Sequence, residues 1–301
     1  MIVSASRRTD LPAFYGHWFA ERLRAGFCQV PNPFNPKQVS RVSLRPGDVD
    51  AFVFWTRHPR SLLPHLSALD RREIPYYFLY TLMDNPRFLD PGMPPRAKRV
   101  SMFRALSDRL GPERVIWRYD PIVPSHRTDA DFHREAFARL AGELRGRTRR
   151  CKIGLPDMYA KVRRRLGPLF RDGRVPESGN PIRHGPLIAD LARIGAEHGI
   201  RVESCAEATD MESFGVAPGA CVDGDLLEGL FGIDVDRRKD PGQRSRCRCV
   251  RSRDIGIYET CVFGCRYCYA VADPDRAVRR RRSHRFDDPA LVPLSSPDDF
   301  G

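Results

Sequence analysis

Six short apolar segments that alternate with helical patterns constrain the fold of this chain more than any other feature. They have the length and the content of β-branched and aromatic residues that buried strands have. They cover residues 2–6, 49–55, 76–82, 114–119, 151–155 and 201–205. Strands that alternate with helices pair in parallel. The sequence therefore predicts an α/β fold.

Polar clusters stand at the ends of several of these predicted strands. Arg7–Asp10 follow the first strand, Thr56–His58 follow the second, and Arg118–Asp120 end the fourth. In a βα barrel these positions are the carboxyl ends of the strands, where active sites form. We therefore predict a βα barrel or partial barrel of about six or seven parallel strands. A doubly wound open sheet is the alternative.

The pattern divides the chain into three parts. Residues 1–205 form the predicted barrel, residues 206–275 form a cysteine-rich metal-binding region that closes it, and residues 276–301 form a basic and polar tail. Within the first part, the positions of proline and glycine predict a helix over residues 12–25 and a loop over residues 29–48.

The composition restricts the location and the partners of the chain. No apolar run reaches the roughly 18 residues of a membrane span, and the N-terminus lacks the apolar core of a signal peptide. Nine cysteines without an export signal indicate the cytoplasm, and metal or redox chemistry rather than disulfides. The formal charge of +13 favours phosphates, nucleotides or an acidic partner, although the run Arg279–Arg282 is typical of a solvated helix end or tail.

Three cysteines form the sequence Cys261-x3-Cys265-x2-Cys268, which we call the cysteine motif. Thiolates at such short spacings can converge on one inorganic centre. Three protein ligands leave one metal position open, and chemistry takes place at an open position. The alternative is a structural zinc site in which Cys247 and Cys249 join Cys265 and Cys268.

The segment Gly264–Ala270, with Tyr267 just before the last cysteine, resembles the cluster motif of radical S-adenosylmethionine (SAM) enzymes, especially members related to spore photoproduct lyase. The resemblance implies that Cys261, Cys265 and Cys268 hold a 4Fe-4S cluster whose fourth iron binds SAM. It also implies that the reduced cluster cleaves SAM to a 5′-deoxyadenosyl radical, and that a partner of the flavodoxin or ferredoxin type supplies the electron.

The position of the motif resembles a more particular family. Radical SAM enzymes usually carry the motif near the N-terminus, after the first barrel strand. A late motif, together with Ser4–Asp10 and Phe54–Thr56, resembles a bacterial family known as domain of unknown function 1848, over residues 1 to about 270. If residues 255–258 form a strand beside residues 2–6, the fold is a circularly permuted radical SAM-type barrel.

Four further cysteines stand at or after the sixth predicted strand. This second cysteine set consists of Cys205, Cys221, Cys247 and Cys249. Four thiolates can close a metal centre, so the set predicts either a second iron–sulfur cluster or a zinc ion. Buried thiols without a metal are the alternative for this set, and Cys28 and Cys151 are themselves predicted to be small buried residues.

The remaining site candidates lie mostly at predicted strand ends. We predict catalytic roles for Arg7, Asp10, Arg118, Asp120 and Glu203, and cofactor binding by Arg8, Thr56, Arg57 and Tyr267. Arginine can bind the carboxylate of SAM through two N–H groups. The structural alternatives are that Asp10 caps the following helix and that Arg118 forms an ion pair with Asp120 or Glu203.

Together these features predict a cytoplasmic radical SAM-type iron–sulfur enzyme that acts on a small molecule or a nucleic acid. One alternative is a zinc-stabilised nucleic-acid-binding module without catalysis, which metal analysis would distinguish. The other is an iron–sulfur electron-transfer protein, which would neither bind nor cleave SAM.

Overall fold

The computed structural model describes residues 1–171, 184–207 and 211–294 and contains ten strands. They are β1 Ile2–Ala5, β2 Phe27–Asn32, β3 Asn35–Ser43, β4 Ala51–Thr56, β5 Tyr76–Thr81, β6 Val115–Tyr119, β7 Arg150–Ile153, β8 Arg201–Cys205, β9 Ala217–Gly219 and β10 Arg253–Asp254. All six predicted strands are present, because each combines an apolar run with a polar or turn-forming boundary.

Eight of the strands form one sheet in the order β10-β1-β4-β5-β6-β7-β8-β9. Strand pairs within it run parallel, and every residue of β4 and β5 is buried. The predicted α/β fold is therefore confirmed, with eight sheet strands rather than six or seven. In the described part of the chain no pairing joins β10 to β9, so the closed form of the predicted barrel is not seen.

Nine α-helices connect or flank the strands in the described chain. They are α1 Leu11–Phe14, α2 Gly16–Ala25, α3 Ser67–Asp70, α4 Arg96–Leu110, α5 Ala130–Glu143, α6 Ala160–Arg171, α7 Gly185–Glu197, α8 Gly224–Phe231 and α9 Pro274–Ser283. An aspartate precedes several of these helices, because its carboxylate accepts hydrogen bonds from the first backbone N–H groups of the helix. Asp129, Asp223 and Asp273 cap α5, α8 and α9 in this way. Among the described helices, none combines the length and apolar character needed to cross a membrane.

Two local predictions were wrong. Residues 29–48 are not a loop: β2 and β3 form an antiparallel hairpin that pairs Phe27 with Ser43. In a two-stranded sheet, the outer edge of each strand forms no interstrand hydrogen bonds. Pro31 and Pro36, which lack a backbone N–H, are therefore tolerated in these strands. The predicted helix over residues 12–25 divides into α1 and α2 at Tyr15, whose backbone is not helical.

The structure groups the residues into two compact units. The first unit contains Met1–Tyr77, Ser252–Gly264 and the described residues from Ala270 onward, and the second contains Cys265–Tyr269 and the described part of Phe78–Arg251. Buried aromatic rings form part of the core of each unit. They include Trp18, Phe19, Phe52 and Phe54 in the first unit, and Trp117, Tyr119 and Phe137 in the second. The first unit combines segments from both ends of the sequence, because β1 takes β10 as its neighbour.

The region predicted as a tail begins with regular structure. Residues 276–283 belong to α9, and the chain after it packs in the first unit. The Trp18 side chain donates to the Asp288 carbonyl oxygen at 2.9 Å, and the Gln29 backbone N–H donates to the Pro289 carbonyl oxygen at 2.8 Å. The side chain of Leu291 is fully buried. Residues 295–301 lie outside the described residues.

Candidate functional site

The strand that leads to the cysteine motif pairs in parallel with β1. It is Arg253–Asp254 rather than the predicted residues 255–258. The Asp254 carboxylate accepts hydrogen bonds from the Ser4 hydroxyl at 2.7 Å, the Ser6 hydroxyl at 2.8 Å and the Arg7 backbone N–H at 2.7 Å. One aspartate therefore joins β10 to the polar loop after β1.

Asp254 and Gly256 are site-forming residues that the sequence did not reveal. A Cβ atom on Gly256 would lie 1.9 Å from the Ser6 hydroxyl oxygen, so only glycine allows this approach. The Gly256 N–H also donates to Asp254 at 2.8 Å. An aspartate two residues before a glycine is a common pattern, and the partners of Asp254 are about 250 positions away in the chain.

Asp10 occupies the junction between the loops after β1 and β4. Its carboxylate accepts from the Ala13 N–H at 3.0 Å, which confirms the capping alternative, and from the Arg57 N–H at 2.6 Å. The Thr56 side chain is a further hydrogen-bond partner. Burial raises the pKa of Asp10 to about 7, and these donors oppose the rise. Asp10 thus has a clear structural role, and its catalytic role stays a prediction.

The predicted arginines of the first unit lie against aromatic rings. The Arg7 guanidinium carbon is 5.2 Å from the centroid of the Trp55 ring, and that of Arg8 is 5.4 Å from the Tyr258 ring centroid. Such contacts hold a guanidinium group in one orientation. Both arginines are therefore held close to β10 and the start of the cysteine motif.

Helices α1 and α9 support the start of the motif. The Tyr15 hydroxyl donates to the Thr260 carbonyl oxygen at 2.7 Å, and the Phe14 and Phe263 ring centroids are 4.6 Å apart. Arg281 lies over the Tyr15 ring, and Arg280 is buried and donates to the Tyr258 carbonyl oxygen at 2.9 Å. Part of the arginine run, predicted as solvated, is therefore packed against this segment.

The second half of the motif is held by the loop after β5. The Arg266 N–H donates to the Leu89 carbonyl oxygen at 2.9 Å. The Tyr267 hydroxyl donates to the Asp90 carboxylate, with O–O distances of 2.7 and 2.8 Å, and accepts from the Asn85 side chain at 3.3 Å. Asp90 is buried. Sequence reasoning had assigned no role to this proline-rich loop.

The second cysteine set comes together within the second unit. The Cys205 and Cys221 sulfurs are 3.4 Å apart. The Cys221 and Cys249 thiols are hydrogen-bonded to each other, as are those of Cys247 and Cys249. The hydrogen bond from Cys221 lowers the pKa of Cys205 to about 6, and it raises the pKa of Cys221. Cys205 is therefore the favoured thiolate of that pair.

Arg118 lies beside this set. Its guanidinium group forms an ion pair with Asp120, as the structural alternative predicted. Burial opposes its charge, but the nearby sulfurs of Cys221, Cys205 and Cys249 raise the pKa of Arg118. A partly buried cation next to several thiols favours their ionised form.

Glu203 belongs to a separate network of charges. Its carboxylate binds Arg150 through two hydrogen bonds of 3.1 and 3.0 Å, and also pairs with the fully buried Lys152 and with Arg201. Burial raises the pKa of Glu203, but Lys152 and Arg150 outweigh it and hold the pKa below its usual value. These contacts occupy the carboxylate, so Glu203 has a structural role and its catalytic role stays a prediction.

A cleft with a volume of about 690 Å³ lies at the ends of β8 and β9 in the second unit. The side chains that line it are both acidic and basic. They include Glu207, Glu212, Arg237, Lys239, Cys247 and Arg248. The pKa of Glu207 is raised to about 7, mainly by burial. A cleft with converging polar groups is the usual form of a small-molecule site.

The cysteines fit metal binding through their chemistry. None of the nine, all of which lie in the described chain, forms a disulfide bond. Within residues 1–171, 184–207 and 211–294, no group of three or more His, Cys, Asp and Glu side chains has the arrangement of a preformed metal site. The donor types and numbers fit a cluster or an ion, and binding would bring the sulfurs into their final arrangement around it.

Cys28 and Cys151 are buried apart from these donors, in β2 and β7. Burial raises the pKa of Cys28 to about 12 and that of Cys151 well above its usual value. A thiol that stays protonated is a poor metal ligand. These two cysteines behave as small core residues and provide matched controls for the others.

Comparison with known proteins assigns the family. No curated protein matches the chain. The sequence model described as "Domain of unknown function (DUF1848)" matches residues 2–270. This match covers most of the 301 residues and confirms the resemblance carried by the opening segment and the late cysteine motif. The protein belongs to the DUF1848 family.

Proposed function

We propose that this protein is a radical SAM-type iron–sulfur enzyme in which Cys261, Cys265 and Cys268 hold a 4Fe-4S cluster. The observation that supports this most is the parallel pairing of β10 with β1. It places the start of the motif just after the carboxyl end of a sheet strand, next to the polar loop after β1. Ligands bind at the carboxyl ends of strands in parallel α/β sheets.

The same pairing supports a circularly permuted radical SAM-type fold. The motif follows β10, and β10 precedes β1 in the sheet order although it comes last in the chain. We therefore propose that β10 has the role of the first strand in that superfamily, whose motif follows its first strand. The eight-stranded sheet would correspond to a permuted, partly open barrel.

The residues around the motif have separable roles in this proposal. When bound, the cluster supplies the electron that cleaves SAM to a 5′-deoxyadenosyl radical. Tyr267, fixed by Asp90, positions the chain between Cys265 and Cys268. Arg7 and Arg8, each held against an aromatic ring, provide guanidinium groups of the kind that bind carboxylates. Phe263, packed on Phe14, limits the access of water to the start of the motif.

The substrate and the reductant are further parts of the proposal. The basic composition and the cleft beside β8 suit an anionic small molecule or a nucleic acid. A flavodoxin- or ferredoxin-type protein would deliver the electron. Arg118, Asp120 and Glu203 keep catalytic roles in this proposal, although they lie close to the second cysteine set or in ion pairs.

The test is electron paramagnetic resonance spectroscopy of the anaerobically reconstituted protein. The dithionite-reduced protein is expected to give the signal of a reduced 4Fe-4S cluster, and SAM is expected to shift it by binding at the open iron. Cys265→Ala should abolish the signal, whereas Cys151→Ala, at a buried cysteine of the same unit, should keep it. A cluster signal that SAM does not change would indicate an electron carrier, and a zinc-filled, colourless protein would indicate a binding module.

A further inference from the structure

We propose that Cys205, Cys221, Cys247 and Cys249 bind one zinc-type divalent ion as a four-thiolate structural centre. This inference does not depend on the proposed radical chemistry, because it concerns a different set of cysteines in the second unit.

Four thiols from separate chain segments converge in the second unit. Cys205 ends β8, and β8 pairs in parallel with β9, which brings Cys221 two residues beyond β9 to the same edge of the sheet. The sulfurs of Cys205 and Cys221 are 3.4 Å apart, and Cys249 is hydrogen-bonded to both Cys221 and Cys247. These contacts favour this set over the alternative in which Cys247 and Cys249 join the cysteine motif.

The spacing of the Cys205 and Cys221 sulfurs is close to that of a tetrahedral zinc site. A tetrahedral zinc site with Zn–S bonds of about 2.3 Å has edges of about 3.8 Å. The Cys205–Cys221 distance of 3.4 Å needs only a small change to reach that value. A 4Fe-4S cluster would hold its ligand sulfurs much further apart, because iron and sulfide atoms stand between them. The spacing therefore favours a single ion.

The surroundings of these four thiols suit a negatively charged centre. Four thiolates around a divalent ion carry an excess of negative charge. The partly buried guanidinium group of Arg118 lies near Cys205, Cys221 and Cys249, and the Val222 N–H donates to the Cys249 sulfur at 3.3 Å. Backbone N–H groups and cations next to metal-bound sulfur orient the ligands and offset their charge.

The segment between α8 and β10 needs a cross-link to hold its shape. Residues 232–252, all of them described, contain no helix or strand. Long segments of this kind rarely hold their shape without a further constraint. Backbone hydrogen bonds hold Cys249 and Val250. The Asp240 N–H donates to the Cys249 carbonyl oxygen at 3.0 Å, and the Val250 N–H donates to the Val222 carbonyl oxygen at 3.0 Å. A metal bound at Cys247 and Cys249 would fasten the segment to β8 and β9.

The test separates this centre from the cysteine motif. A chain with Cys261→Ala, Cys265→Ala and Cys268→Ala, purified under reducing conditions, is expected to contain about one zinc ion per molecule by mass spectrometry. Adding Cys221→Ala should lower the zinc content about tenfold after dialysis against a chelator. Adding Cys151→Ala, at the buried cysteine of β7, should leave the content unchanged.

Two results would overturn the proposal. One is a folded triple variant that contains no zinc, whether its cysteines are reduced or form a disulfide. The other is a triple variant that retains iron together with acid-labile sulfide, since that would make the second centre a cluster.

A second measurement does not need the triple variant and can therefore be made even if that variant does not fold. It uses chains that retain at least two of the three motif cysteines. The wild-type chain, loaded with Co²⁺, is expected to show the visible absorption of tetrahedral cobalt thiolate. Cys221→Ala should remove this absorption and Cys265→Ala should not. The opposite pattern would contradict the assignment, and neither result depends on SAM cleavage.

Discussion

Tyr267 connects the cysteine motif to the loop after β5 through its hydroxyl group. Tyr267→Phe removes the hydrogen bond to the buried Asp90 carboxylate. Because that acceptor is buried, we expect a loss of about 1–3 kcal/mol in the free energy of unfolding. Tyr269→Phe, at a side chain that is 43% exposed, is expected to cost less. Urea denaturation of both variants checks the prediction, and equal losses would contradict it.

His133 gives the protein a pH dependence that can be assigned to one residue. Its ring lies in the core, its Nδ1 is 2.8 Å from the Tyr119 hydroxyl, and burial lowers its pKa to about 4. Between pH 4 and pH 6.5 the unfolded chain therefore binds a proton that the folded chain does not. Stability should fall as the pH falls through this window, by about 3 kcal/mol.

The matched variant for this prediction is His133→Asn, which can still accept from Tyr119 but does not titrate. Unfolding free energies of both proteins are measured by urea denaturation at several pH values. The unfolding free energy of wild type minus that of the variant should decrease as the pH falls from 6.5 towards 4, because only the wild type contains His133. The carboxylates are common to both chains, so their effects cancel in this difference. A constant difference would show that His133 does not cause the dependence.

At the residue scale, the sequence predicted the ligand types better than the contacts that position them. The cysteines could be singled out because cysteine is scarce and its spacings are short, and Asp10 could be predicted as a cap because capping is local. Asp254, Tyr15 and Asp90 could not, since their partners lie far away in the chain. Only the folded chain shows such long-range contacts.

Strand β10 is the element on which the placement of the cysteine motif depends. Asp254→Ala removes the acceptor for the Ser4 and Ser6 hydroxyls and the Arg7 N–H. Several donors then lose a charged acceptor in a partly buried position, so we expect a loss of about 2–4 kcal/mol in unfolding free energy. Iron incorporation into the motif should also decrease, because β10 no longer fixes its start.

The control for this prediction is Asp234→Ala, at an exposed aspartate of the second unit. Its unfolding free energy is expected to stay within about 0.5 kcal/mol of wild type. Chemical denaturation and iron analysis are measured on both variants. If Asp254→Ala kept full stability and full iron content, the pairing of β10 with β1 would not position the motif.

At the element scale, the apolar pattern was sufficient for the long strands and insufficient for the short ones. β4 and β5 are six-residue strands that are buried throughout, so their apolar runs identify them. β9 has three residues, including a proline and a glycine, and β10 has two polar residues. These strands exist because a neighbouring strand provides hydrogen-bond partners, and no local pattern encodes that. The β2–β3 hairpin was missed because proline normally indicates a loop.

At the scale of the whole molecule, the order of the chain and the order of the sheet differ in a way that supports the proposed function. The late motif could be seen in the sequence, but the pairing of β10 with β1 could only be a hypothesis there. The sheet order now places β10 before β1, and the family match extends from the first strand through the motif. Both results agree with a permuted arrangement in which the two ends of the sequence build one unit.

The most direct test of the proposed function is the formation of 5′-deoxyadenosine. The protein is reconstituted anaerobically with iron and sulfide, mixed with SAM and dithionite, and the product is quantified by liquid chromatography and mass spectrometry. We predict that wild type and Cys28→Ala form 5′-deoxyadenosine and that Cys261→Ala and Cys265→Ala do not. Iron-loaded wild-type protein that forms none, or motif variants that form as much as wild type, would contradict radical SAM chemistry at this motif.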